Sequence, residues 1–160
     1  MSMQLLLTTI FLAVLPISEL RGAIPYAYFN GTSLLVASLI GTLANLLVAP
    51  LAHLFLTYFH QFFYKHWPFY KRVFDSTIIR VQTRMSAKIQ KYGLLGVLLF
   101  VGIPLPVTGA WTGTLGAWLL GLKKRHLYLA VSGGVIMASI IITTLLFIGS
   151  GVGSIFIKTV

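Results

Sequence analysis

A chain of 160 residues that is 58% hydrophobic, only 9% charged and has a mean hydropathy of +0.93 is too apolar for a soluble domain, where about 45–50% apolar and about 25% charged residues are usual. Its formal charge of +10 does not point to nucleic acid, because the cations fall in gaps between apolar runs, as in the short cytoplasmic loops of membrane proteins. The absence of cysteine excludes disulfides, thiolate metal sites and a cysteine nucleophile.

Met1-Ser2-Met3-Gln4 lacks the basic residues of a cleavable signal peptide, so residues 5–17 read as part of the mature fold. The run 5–15 predicts a helix about 16 Å long, half of the about 30 Å of bilayer hydrocarbon. It ends at Pro16 and meets Ser18-Glu19-Leu20-Arg21-Gly22, after which a second short apolar stretch occupies 23–29. Residues 5–29 therefore predict a re-entrant hairpin. The block 33–59 is long enough to cross, giving a transmembrane helix at 33–57 in which Gly41 and Ala44 permit close helix packing. Asn45, polar and near the middle of that span, reads as an interhelical hydrogen bond.

Residues 60–92 are polar and hold Lys65, Lys71, Arg72, Arg80, Arg84, Lys88 and Lys91. Phe74, Ile78, Val81, Met85, Ile89 and Tyr92 recur there at steps of three and four, while Arg80, Arg84, Lys88 and Lys91 follow another stripe. That pattern predicts a cationic amphipathic helix over 69–92 on the membrane surface; a solvated connector is the alternative. Asp75 is placed at the start of this helix, where the dipole favours a carboxylate. His53, His60, His66 and His126 show no ligand-like clustering and read as interfacial.

Residues 93–122 are apolar but broken by Pro104 and Pro106. As one straight span they would put the basic loop 60–92 and the run Lys123-Lys124-Arg125 on opposite faces, against the positive-inside rule. A hairpin over 94–122 keeps both clusters cytoplasmic. A second transmembrane helix follows at 127–150, with Gly133, Gly134, Ala138 and Ser139 as its small residues.

The fold class that results is an all-α integral membrane protein forming a single domain, 1–160. It has two inverted repeats, 1–59 and 93–160, each a re-entrant helical hairpin plus a transmembrane helix, joined by the amphipathic linker 60–92. Inverted repeats with broken helices meeting near the midplane are typical of secondary transporters.

Of the two acidic residues, Glu19 lies in a half-membrane turn two residues from Arg21. Ionisable groups at such depth are costly unless paired or hydrated and mark function by default. Glu19 can exchange a proton, and the Arg21 fork suits phosphate or carboxylate oxygens; the structural alternative is that the two simply pair with each other. The interrupted backbone at Pro16–Gly22 and Pro104–Gly109 is tolerated only where protein or a cavity satisfies it. Half-helices starting near Ala23 and Ala110 would aim positive ends at an anion in that cavity. Ser18, Thr108 and Thr112 are candidate hydroxyl donors, Trp111 a candidate lining residue, and Trp118 an interfacial anchor. No catalytic constellation, metal cluster or cofactor motif emerges, so an enzyme is not expected.

Ser18-Glu19-Leu20-Arg21-Gly22-Ala23-Ile24-Pro25 and Pro104-Leu105-Pro106-Val107-Thr108-Gly109-Ala110-Trp111-Thr112-Gly113 resemble the paired signature motifs of the small multidrug export protein family. That family is similar to the DedA (VTT) superfamily, whose members have two facing re-entrant hairpins and are implicated in moving undecaprenyl phosphate and in proton-dependent drug tolerance. The resemblance implies that Glu19 is the hairpin carboxylate and Arg21 the hairpin arginine, with Gly22, Pro25, Pro104, Pro106 and Gly109 shaping the site. DedA proteins carry acidic and arginine residues in both hairpins, whereas Val107-Thr108-Gly109 has neither; either one charged hairpin suffices or a second subunit supplies the rest.

The expected function is a proton-coupled carrier for an amphipathic anion such as a polyprenyl-phosphate lipid, in the inner or plasma membrane. An exporter of lipophilic cations and a non-transporting scaffold are the alternatives. Expected partners are membrane lipids, the substrate, protons and a second copy in a homodimer.

Overall fold

The computed structural model describes residues 1–84, 93–106 and 108–157, and every regular element among them is helical. The chain runs α1 (Met3–Val14), α2 (Glu19–Phe29), α3 (Leu34–Leu46), α4 (Val48–Leu54), a π-helical turn (Phe55–Phe59), α5 (His60–His66), α6 (Pro68–Arg84), α7 (Leu94–Gly102), α8 (Ala110–Leu119) and α9 (Lys124–Ile157).

Proline and glycine set the breaks. Ser2 caps α1 by accepting the Leu5 N–H at 3.2 Å. The helix stops at Leu15, which is extended (φ −63°, ψ 133°) as a residue before proline prefers. Ile103 does the same before Pro104 and ends α7 (φ −85°, ψ 114°). Within the first long apolar block, α3 and α4 meet at Leu47. Pro50 explains the break, since it lacks the N–H that would bond the Leu46 carbonyl.

Two helices are long and apolar enough to cross a bilayer: Leu34–Phe59, with mean hydropathy 2.1, and Lys124–Ser150, with mean hydropathy 2.3. Both show apolar side chains outward. Leu35, Leu39, Leu43, Leu47, Leu51 and Leu54 are all about half exposed or more at steps of three and four, a continuous leucine face that water would not tolerate at this size.

The spans are held by close backbone approach. A Cβ on Gly134 of α9 would stand 2.8 Å from the Leu98 carbonyl oxygen of α7, so α7 lies directly on α9. Thr42 and Ser139 hydroxyl oxygens sit 2.6 Å apart between α3 and α9. The buried core, with Leu20, Ile24, Val97, Val101, Val131 and Val135, collects where the short helices pack between the long ones.

Two sequence expectations are corrected. α2 begins at Glu19 rather than near Ala23, because the link from α1 takes only the four residues 15–18. Asp75 is not at a helix start: α6 begins two turns earlier, at Pro68, a position proline favours. Asp75 instead accepts a hydrogen bond from the Tyr64 hydroxyl at 3.2 Å, tying α6 to α5. Of the basic stripe, Arg80 and Arg84 lie on α6, while Lys88 and Lys91 lie outside the described residues. Lys123, Lys124 and Arg125 are exposed where α9 begins.

Candidate functional site

The two proline-broken turns meet. Glu19, the first residue of α2, is 4% exposed and crosses to the second turn. Its Oε2 accepts the Ala110 N–H at 3.0 Å and its Oε1 the Trp111 N–H at 3.2 Å. These are the first two amides of α8, which have no partner within their own helix and carry its positive dipole end. The α8 N-terminus, expected to face a substrate anion, thus already holds a resident carboxylate.

Two backbone conformations make this contact possible. Glu19 has φ +47°, a left-handed conformation that costs a non-glycine residue about 1–3 kcal/mol and concentrates at functional sites. Gly109 has φ +154°, and any Cβ there would overlap the Glu19 carboxylate. Only glycine lets the carboxylate approach.

Arg21 sits one turn into α2 and reaches the same second turn from another side. Nη1 donates to the Leu105 carbonyl and Nη2 to the Thr108 carbonyl at 2.5 Å. The Leu105 carbonyl also accepts the Thr108 N–H at 3.1 Å, so the second turn is closed on itself as well as on Arg21. Glu19 and Arg21 do not hydrogen-bond each other; each is satisfied by backbone groups of opposite polarity in the second turn.

The remaining predicted site residues shape this contact. The Thr108 hydroxyl accepts the Leu105 N–H at 3.1 Å and lies 2.7 Å from the Leu105 carbonyl oxygen, so it folds the turn and is no free donor. The Ser18 hydroxyl makes no cap; its Oγ is buried without a hydrogen-bond partner. A Cβ on Gly22 would collide with it, so Gly22 makes room for Ser18. Trp111 donates its indole N–H to the Val14 carbonyl at 2.7 Å, closing the C-terminal end of α1. Thr112 makes only a long 3.4 Å contact to the Gly109 carbonyl. Pro25 lies inside α2 and Pro106 is exposed.

A pocket of about 200 Å³ opens beside the contact, lined by Pro16, Ile17, Glu19, Arg21, Thr108 and Thr112. Beneath it, Asn45 donates to the Ala13 carbonyl at 2.6 Å, the interhelical bond its place in the span predicts. Trp118 packs edge-on to His60 at 5.7 Å. Among the described residues no group of three or more His, Cys, Asp or Glu is placed to hold a metal.

Residues 19–141, which begin at this glutamate and include the second turn, match the model of a family described as "Putative small multi-drug export protein". The chain belongs to that family. No curated protein and no solved structure matches it. With two apolar spans, this family member is a membrane protein.

The sequence predicts that the broken backbone at Pro104–Gly109 needs partners and that the helix starting near Ala110 faces an anion. It does not pair these backbone groups with Glu19 and Arg21, because backbone groups carry no residue code.

Proposed function

We propose that this protein is a proton-coupled secondary exporter of lipophilic cations, with Glu19 as the group that binds either a proton or the substrate. The observation that carries this reading is the buried Glu19 carboxylate in the lining of a pocket; the Arg21 guanidinium, still charged, is held in place by two turn carbonyls. Glu19 faces the pocket of about 200 Å³, and the family description names an export role.

The topology follows the same reading. The pairs α1–α2 and α7–α8 are re-entrant hairpins, the halves 1–59 and 93–160 are inverted repeats of one domain, and the basic segments 60–92 and 123–125 face the cytoplasm of a cell carrying the protein in its inner or plasma membrane. The facing turns also support kinship with the DedA (VTT) superfamily. Two spans make a thin wall around a path, which favours a homodimer.

In reconstituted vesicles with a pH gradient, Glu19→Gln is expected to lose proton-driven accumulation of tetraphenylphosphonium while staying folded and inserted. Undiminished accumulation by Glu19→Gln would remove the assignment.

A polyprenyl-phosphate carrier is the second reading. It is favoured by Arg21 lining the same pocket with donors left beyond the two it uses, since a guanidinium has five. Movement of a polyprenyl phosphate that is lost in Arg21→Ala, with no cation transport, would select it.

A further inference from the structure

Beside the charged pocket lies a larger, apolar one. α4, the π-helical turn, α6 and α8 line an open cavity of about 370 Å³, within the about 300–1,000 Å³ of small-molecule sites. Its walls are aromatic, with Phe55 from the π-helical turn, Tyr70 and Phe74 from α6, and Trp111 from α8. Pro16 and Thr112 line this cavity and also the pocket of Glu19 and Arg21. The two spaces therefore share a wall. Trp111 joins them chemically, since its ring lines the apolar cavity while its backbone N–H holds Glu19.

Two further features set this cavity apart from a packing fault. The first is the π-helical turn, in which the His60 N–H bonds the Phe55 carbonyl five residues back. Such turns are rare and frequent at functional sites, and Phe55 and Leu56 from this one line the cavity. The second is the roof. His60 sits 3.0 Å from the Tyr70 hydroxyl through Nδ1 and packs at a tilt against the Phe74 ring, centroids 4.1 Å apart, which ties the two α6 aromatics to α5.

We propose that this cavity binds the aromatic body of a lipophilic cation whose charge is directed through the Pro16–Thr112 wall toward Glu19. Ring faces stack on planar apolar groups and attract cations, and beyond the shared wall Glu19 supplies a carboxylate while Arg21 is held on two backbone carbonyls. The inference rests on the export reading above and names its substrate class.

The chain contains no cysteine, so single cysteines report without background. Thr77 lines the cavity, and its hydroxyl bonds only its own helix, at the Val73 carbonyl. The adjacent Ser76 is exposed and does not line it. In lipid vesicles, tetraphenylphosphonium at about ten times its dissociation constant should slow maleimide labelling of Thr77→Cys about tenfold and leave Ser76→Cys unchanged. The isosteric anion tetraphenylborate should protect far less. Failure to protect Thr77→Cys, equal protection of both cysteines, or equal protection by the anion or by added lipid alone would overturn the proposal. Transport separates it from the reading beneath it. If Thr77→Trp, which fills the cavity, carries tetraphenylphosphonium at the wild-type rate where Glu19→Gln is inactive, the cavity assignment falls alone. If Thr77→Cys is protected but Glu19→Gln transports normally, the export reading falls alone.

Discussion

The two turns are alike in outline and opposite in chemistry. Residues 16–22 present side chains, one carboxylate and one guanidinium. Residues 104–111 present backbone, two amides and two carbonyls. The turn without charges is therefore no empty partner: its backbone dipoles receive both charges of the other. Both charges of the first turn are thus paired with backbone dipoles of the second within one chain.

If that complementarity is real, damage to the uncharged turn should be at least as severe as damage to the charged one. Gly109→Ala should have the largest effect. It adds a Cβ into the Glu19 carboxylate at a backbone angle alanine rarely adopts, and overpacking plus strain come to about 3 kcal/mol or more. Thermal unfolding in detergent should show a lower midpoint, and transport should fail. Arg21→Lys comes next. It keeps the charge but loses the fork that spans two carbonyls, so a loss of about 2 kcal/mol is expected in the same assay. Thr108→Val keeps the side-chain shape and removes only the hydroxyl that folds the second turn, for about 1–2 kcal/mol. A wild-type melting point for Thr108→Val would show that the prolines alone set the carbonyl positions.

The smallest expected effect lies away from the turns and depends on pH. Burial holds the His60 imidazole below its ordinary pKa, with Asp75 opposing that shift more weakly. Because the folded state disfavours the charged ring, the docking of α6 is fullest above about pH 6.5 and weakens as pH falls through the lowered value. Maleimide labelling of Thr77→Cys should accordingly quicken modestly at acid pH, and His60→Phe should flatten that dependence.

Much of the fold was legible because composition and proline placement act locally. Two long apolar blocks, two half-length ones and the basic gaps located nearly every helix, and the rarity of acidic residues drew attention to Glu19. Asp75 was misplaced because Pro68 starts α6 before the apolar stripe begins. The break at Leu47 was overlooked because Pro50 acts on the carbonyl four residues upstream. The partners of Glu19 and Arg21 were not legible at all: hydrogen bonds to backbone across about ninety residues of sequence leave no residue pattern. His60 looked interfacial because its aromatic neighbours come from α5, α6 and α8.

The central claim, that the carboxylate of the first turn caps the helix leaving the second, is tested most directly by solid-state NMR in lipid bilayers. Protein labelled with ¹³C at Glu19 Cδ and ¹⁵N at the Ala110 and Trp111 amides should show strong dipolar dephasing at both nitrogens, matching oxygen–nitrogen distances of 3.0 and 3.2 Å. Dephasing lost in Gly109→Ala would fit the same account. Absence of dephasing at both amides in the wild-type protein would contradict it.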